Sequence, residues 1–175
     1  MKADELNDAL QHGGFAATVD PACLRLVLDT NAVLDWLLFR DQGFAPILSA
    51  LASGAAVALT SEACLEELRR VLNYPEFKLD VPRQAELLQQ YRRHVAIVDV
   101  EDERAAPGGD ASSDVIPRCK DPDDQKFLEL ASQQGAMLVT KDKLLLQLAR
   151  RVAKGRRFLI LRPDLLVQRY LTLPI

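Results

Sequence analysis

The sequence predicts an α/β fold: a three-layer α/β/α domain with a central, mainly parallel sheet. Short apolar runs at 25–29, 56–59, 95–98, 137–140 and 158–161 alternate with stretches of helical periodicity. Most of these runs are apolar without strict alternation, as strands buried on both faces are. Two of them deliver an acid at once. Leu26-Val27-Leu28 is followed by Asp29-Thr30-Asn31, and Leu138-Val139-Thr140 by Lys141-Asp142. Open α/β sheets bind ligands beyond the carboxyl ends of their strands, so these acids fall where a site belongs.

Residues 1–24 read as a polar N-terminal extension with Gly13-Gly14 and Pro21, and 25–175 as the domain proper. After the first strand, 32–38 predicts a helix. Pro46 opens the next, which Gly54 ends. The strand at 56–59 leads to Ser61, an N-cap, and a helix to Asn73 with Pro75 beyond it. Pro82 begins a helix over 83–94, followed by a strand at 95–98. Residues 99–118 hold acids, prolines, Gly108-Gly109 and serines, and read as a long mobile loop inserted in the domain. A helix over 122–134, a strand at 137–140, a helix over 144–150, a strand at 158–161 and a closing helix over 163–170 complete the chain.

At 175 residues and 49% hydrophobic, the chain suits one domain with a substantial core. A net charge of −3 excludes a globally basic nucleic-acid binder but leaves room for a local basic surface. Cys23, Cys64 and Cys119 are widely spaced without a CxxC, which argues against a zinc ribbon or redox pair and fits free thiols in the cytoplasm. The first twenty residues lack the apolar stretch of a signal peptide, and no apolar run is long enough to span a membrane.

Helical geometry ranks the remaining acids. On the Ser61 helix, Cys64, Leu65, Leu68, Val71 and Leu72 form an apolar stripe. Glu67 lies about 100° from its centre and Glu66 about 160° away, so Glu67 can reach a cleft beside the core. On the next acidic helix, Phe127, Leu128 and Ala131 mark the buried face; Asp124 falls about 30° from it and Asp123 about 70°. An acid on the apolar side of a first turn is costly without a partner. Gathered carboxylates repel one another unless a hard cation such as Mg²⁺ sits among them. Singly, each acid has a plainer role. Asp121 before Pro122 is a good N-cap, Asp123 and Asp124 complement a helix dipole, Glu67 suits a solvated helix, and Asp29 and Asp142 suit loop caps. The weight lies in their joint order.

That order is Asp-Thr-Asn, Ser-Glu-x-x-x-Glu-Glu-Leu, Asp-Pro-Asp-Asp-x-x-Phe-Leu, then Leu-Val-Thr-x-Asp. It resembles the PIN domain, most closely the PIN-family toxins of bacterial toxin–antitoxin systems, from about Arg25 to Pro163. The resemblance implies a PIN-like fold and a Mg²⁺- or Mn²⁺-dependent endoribonuclease acting on single-stranded RNA. It assigns catalysis and metal binding to Asp29, Glu67, Asp124 and Asp142, with Asp121 a fifth metal ligand. Thr30 or Asn31 would hydrogen-bond a carboxylate or the substrate. A small antitoxin protein and a homodimer are the partners it implies. The chain departs from the pattern in its N-terminal extension and its enlarged acidic loop.

Phosphodiester hydrolysis needs an activated water and shielding of phosphate charge, both of which a bound divalent ion supplies. Substrate contacts need cations. Lys141, Lys143, Arg150, Arg151, Lys154, Arg156 and Arg157 stand against one acid, Asp142, and begin beside the expected site; a solvated basic helix face is the alternative. No catalytic His is required: His12 lies in the extension, and His94 at a helix end reads as structural. Trp36 and Phe39 read as core or partner contacts rather than base-stacking groups. A phosphatase of the haloacid dehalogenase type would want an Asp where Asn31 stands, and no glycine-rich phosphate loop follows any strand. The rival function is a PIN-like binding module with weak or lost catalysis that acts through a protein partner.

Overall fold

The computed structural model describes residues 23–100, 116–154 and 158–171. Most of the N-terminal extension with His12, most of the loop expected at 99–118, and Arg156 and Arg157 lie outside the described residues. Five strands pair within them: β1 (Leu24–Leu28), β2 (Ala56–Thr60), β3 (Val95–Ile97), β4 (Met137–Val139) and β5 (Ile160–Leu161). They form one sheet in the order β3-β2-β1-β4-β5, and every pair is parallel.

The strands bury both faces, which is why their sequences are apolar except at Arg25 and Thr60. Leu26, Leu28, Ala56, Ala58 and Val95 join one core. That core is completed by α1 (Thr30–Leu37), α2 (Ala45–Ser53), α3 (Glu62–Leu72), α4 (Val81–Arg92) and the short α7 (Pro163–Leu166). Val27, Val57, Leu59, Leu138 and Ile160 point the other way, into a second core with α5 (Gln125–Gln134) and α6 (Lys143–Lys154). This is the three-layer arrangement that strand–helix alternation predicts. Trp36 belongs to the first core, with its ring edge-on to Tyr91 at 5.9 Å and to His94 at 5.3 Å. Phe39 is exposed and meets Phe77 at 6.2 Å.

Several boundaries differ from expectation. Helix α1 starts at Thr30, not 32, because the Asp29 carboxylate caps it, accepting from the Ala32 N–H at 2.6 Å. The helix expected over 122–134 opens as a 3₁₀ turn at Pro122–Asp124, closed by the Asp124 N–H on the Asp121 carbonyl at 3.3 Å. Helix α6 runs on to Lys154 because Val152 continues the apolar stripe of Leu145 and Leu148. The strand expected at 158–161 is shorter: only Ile160 and Leu161 pair with β4. The closing helix has one α turn, then a π turn at Val167–Leu171. Of the loop insertion, Ile116 is described and is buried in the second core.

Candidate active site

The sheet order places β1 between β2 on one side and β4 on the other, so the chain reverses direction of travel there. Open α/β sheets place their ligands beyond the strand ends at such a point, and Asp29 stands there, 2% exposed. The Asp29 N–H donates to the Val139 carbonyl at 3.2 Å, tying the end of β1 to the end of β4. One carboxylate oxygen caps α1; the other accepts from the Thr140 hydroxyl. The Thr140 Oγ1 also accepts from the Asp142 N–H at 2.8 Å. Asp142 in turn caps α6, its Oδ1 accepting from the N–H groups of Leu144 at 2.7 Å and Leu145 at 3.1 Å. Thus one buried threonine links both strand-end acids, and each acid also holds a helix.

The second wall comes from helices. Ser61 caps α3 through the Cys64 N–H at 3.3 Å. Six residues on, the Glu67 side chain is 10% exposed, while that of Glu66 is 66% exposed and pairs with Arg69. The Glu67 Oε1 accepts from the Thr30 Oγ1 at 2.6 Å, and its Oε2 meets the Lys126 ammonium. Asp124 is half-buried and makes no cap hydrogen bond, whereas Asp123 turns outward to Arg70 at 2.9 Å. Asp121 is exposed and accepts from the Asp123 N–H at 2.9 Å. The helical spacing therefore orients both pairs of neighbours as expected, Glu67 inward of Glu66 and Asp124 inward of Asp123.

Burial pushes the Asp29 carboxyl up to about 7; the bonds from Thr140 and Ala32 oppose this, and the charges of Asp124 and Asp142 add to it. Burial likewise raises Asp124 to about 6, reinforced by Asp121, Asp142 and Glu67 and relieved in part by Lys126. The five acids share one electrostatic field. Their all-oxygen donor set fits a hard divalent ion such as Mg²⁺ or Mn²⁺. Among the described residues, no three acidic, His or Cys side chains are gathered closely enough to hold an ion as they stand.

The expected substrate contacts divide. Asn31 and Lys143 are exposed. Thr30 bonds Glu67 instead of facing solvent. Lys141 is drawn to Asp35 at 2.6 Å and Asp41 at 2.8 Å. Arg150, Arg151 and Lys154 are exposed on α6. His94 packs on Trp36, with its Nδ1 2.8 Å from the Gln90 carbonyl oxygen. Sequence reasoning missed Lys126, although its place two residues after Asp124 put it at the mouth of the same helix.

The fold is a parallel α/β domain with acids at the ends of the strands where its order reverses. The sequence model of the PIN domain matches residues 25–144, well over half of the chain, and the chain belongs to the PIN domain family. PIN domains are generally nucleases that use divalent metal ions. No curated protein matches the sequence. Among solved structures the chain is similar to one in the crystal structure of VapBC2 from Rickettsia felis bound to a DNA fragment from their promoter. The TM-score is 0.52 at 14% identity, over 79% of this chain and 98% of that chain; at that identity the likeness bears on the fold. Among the described residues, no helix is long and apolar enough to cross a membrane.

Proposed function

We propose that this chain is a divalent-metal-dependent endoribonuclease acting on single-stranded RNA, the toxin of a toxin–antitoxin pair. The observation that carries the proposal is Asp29: a carboxylate 2% exposed, at the reversal point of the sheet, in the field of Asp124 and Asp142. Family membership supports nuclease chemistry. The sequence blocks resembling PIN-family toxins, and a fold like a chain of VapBC2, support the toxin reading.

In this reading Asp29, Glu67, Asp124 and Asp142 hold Mg²⁺ or Mn²⁺, with Asp121 at the rim. The bound ion supplies an acidified water and neutralises phosphate charge. Thr140 fixes the Asp29 carboxylate, and Thr30 fixes Glu67. Asn31 and Lys143 contact the RNA, and Lys141 joins them by leaving Asp35 and Asp41. A small antitoxin covers the acidic cleft, and a homodimer is the assembly proposed with it. The place of action is the cytoplasm, whose reducing conditions suit a chain with three widely spaced cysteines.

The test is degradation of single-stranded RNA in Mn²⁺ by wild type and Asp29→Asn. Cleavage by wild type alone supports the proposal; equal, slow degradation by both overturns it in favour of the binding module. Growth arrest on expression of wild type, relieved by the small protein encoded alongside, tests the toxin role.

A further inference from the structure

Both oxygens of the Glu67 carboxylate have a partner within the chain. Thr30 holds Oε1 at 2.6 Å and Lys126 holds Oε2. The side chain of Lys126 is 23% exposed and that of Glu67 10%, so this pair is better shielded than a surface salt bridge. Lys126 is the second residue of α5, and its ammonium also stands 5.6 Å from the Phe127 ring centroid. Its reach is therefore set by the packing of α5 against α3, and its charge extends to Asp124, the neighbouring acid. No other cation in the described cleft meets these acids so directly: Lys141 is bound to Asp35 and Asp41, and Arg70 to Asp123. A divalent ion and an ammonium on one carboxylate oxygen repel each other strongly in a site shielded from water. The two cations therefore compete for this carboxylate.

We propose that Lys126 is an internal counter-ion, holding Glu67 in the metal-free site and yielding the carboxylate when a divalent ion arrives. It is a positioning residue that sets how readily the site loads. The proposal rests on the metal-site reading above and adds a competitor to it.

Calorimetric titration with Mn²⁺, without RNA, tests it. Lys126→Met keeps the alkyl stem and removes the charge. It should bind Mn²⁺ about tenfold more tightly than wild type, equivalent to about 1.4 kcal/mol. Lys126→Arg keeps the charge and should show no gain. In a Glu67→Gln background the gain from Lys126→Met should vanish, because the contested carboxylate is gone; a merely structural lysine would not produce that dependence. Should Lys126→Met fail to fold, Lys126→Gln carries the same expectation. Wild-type binding that Asp29→Asn abolishes, with affinity unchanged or weakened by Lys126→Met, overturns the counter-ion and leaves the metal site standing. No Mn²⁺ binding by wild type overturns both.

Discussion

The two walls of the cleft are built differently. On the strand wall, Asp29 and Asp142 are locked: each caps a helix, and both are joined through the Thr140 hydroxyl. On the helix wall, Glu67 is held by a hydroxyl and a flexible ammonium, and Asp124 makes no cap bond. Backbone groups help fix both members of the first pair, whereas in the second only Glu67 is held, and by side chains alone. The difference separates anchoring from adjustment: on the proposed function, the strand acids would define where a cation sits, and the helix acids would adjust to it.

The largest expected effect comes from the anchor. Asp29→Asn should lower RNA cleavage in Mn²⁺ roughly a hundredfold or more, read in a single-turnover assay, while leaving a folded protein because asparagine also caps. Retained cleavage would remove the strand wall from the chemistry.

The pH response of the metal-free protein comes next. The folded state holds the Asp29 proton up to about 7, whereas the unfolded chain releases it near 3.8. Between those values the folded state binds more protons, so stability falls as pH rises. Melting in a chelator should therefore occur at higher temperature at pH 5 than at pH 8, by the equivalent of a few kcal/mol, and Asp29→Asn should flatten the slope. The raised Asp124 carboxyl acts in the same direction. A rise in stability with pH over this range would contradict the locked, buried anchor.

Thr140→Val removes the hydroxyl that serves both strand acids and should cost about 1–3 kcal/mol in urea denaturation. A smaller loss would mean that the strand wall is as adjustable as the helix wall. The smallest effects belong to the outward neighbours. Glu66→Gln and Asp123→Asn should each stay within about 0.5 kcal/mol of wild type and keep full cleavage, while Glu67→Gln and Asp124→Asn lose it. Equal effects within either pair would erase the distinction between inward and outward acids.

Much of this frame is legible in the residues. The run Leu26-Val27-Leu28 before Asp29 needs only local pattern to be seen as a buried strand delivering an acid, and the 100° step of a helix is enough to separate Glu67 from Glu66. The ion pairs were not legible. Lys126 meets Glu67, and Lys141 meets Asp35 and Asp41, across separations of 59, 106 and 100 residues, which only the packed helices define. Nor does local pattern show where a ladder stops. β5 keeps only Ile160 and Leu161, although Phe158 and Leu159 before them are equally apolar.

The double duty of the strand acids bears on how such a domain would age. Asp29 and Asp142 are needed to start α1 and α6 whether or not any reaction takes place. A descendant that had stopped cutting RNA would still be selected to keep a capping side chain at both positions, Asp or Asn, and would drift most freely at Glu67 or Asp124. Among relatives, a capping residue at the two strand ends would thus mark ancestry, and the helix acids would mark a working enzyme.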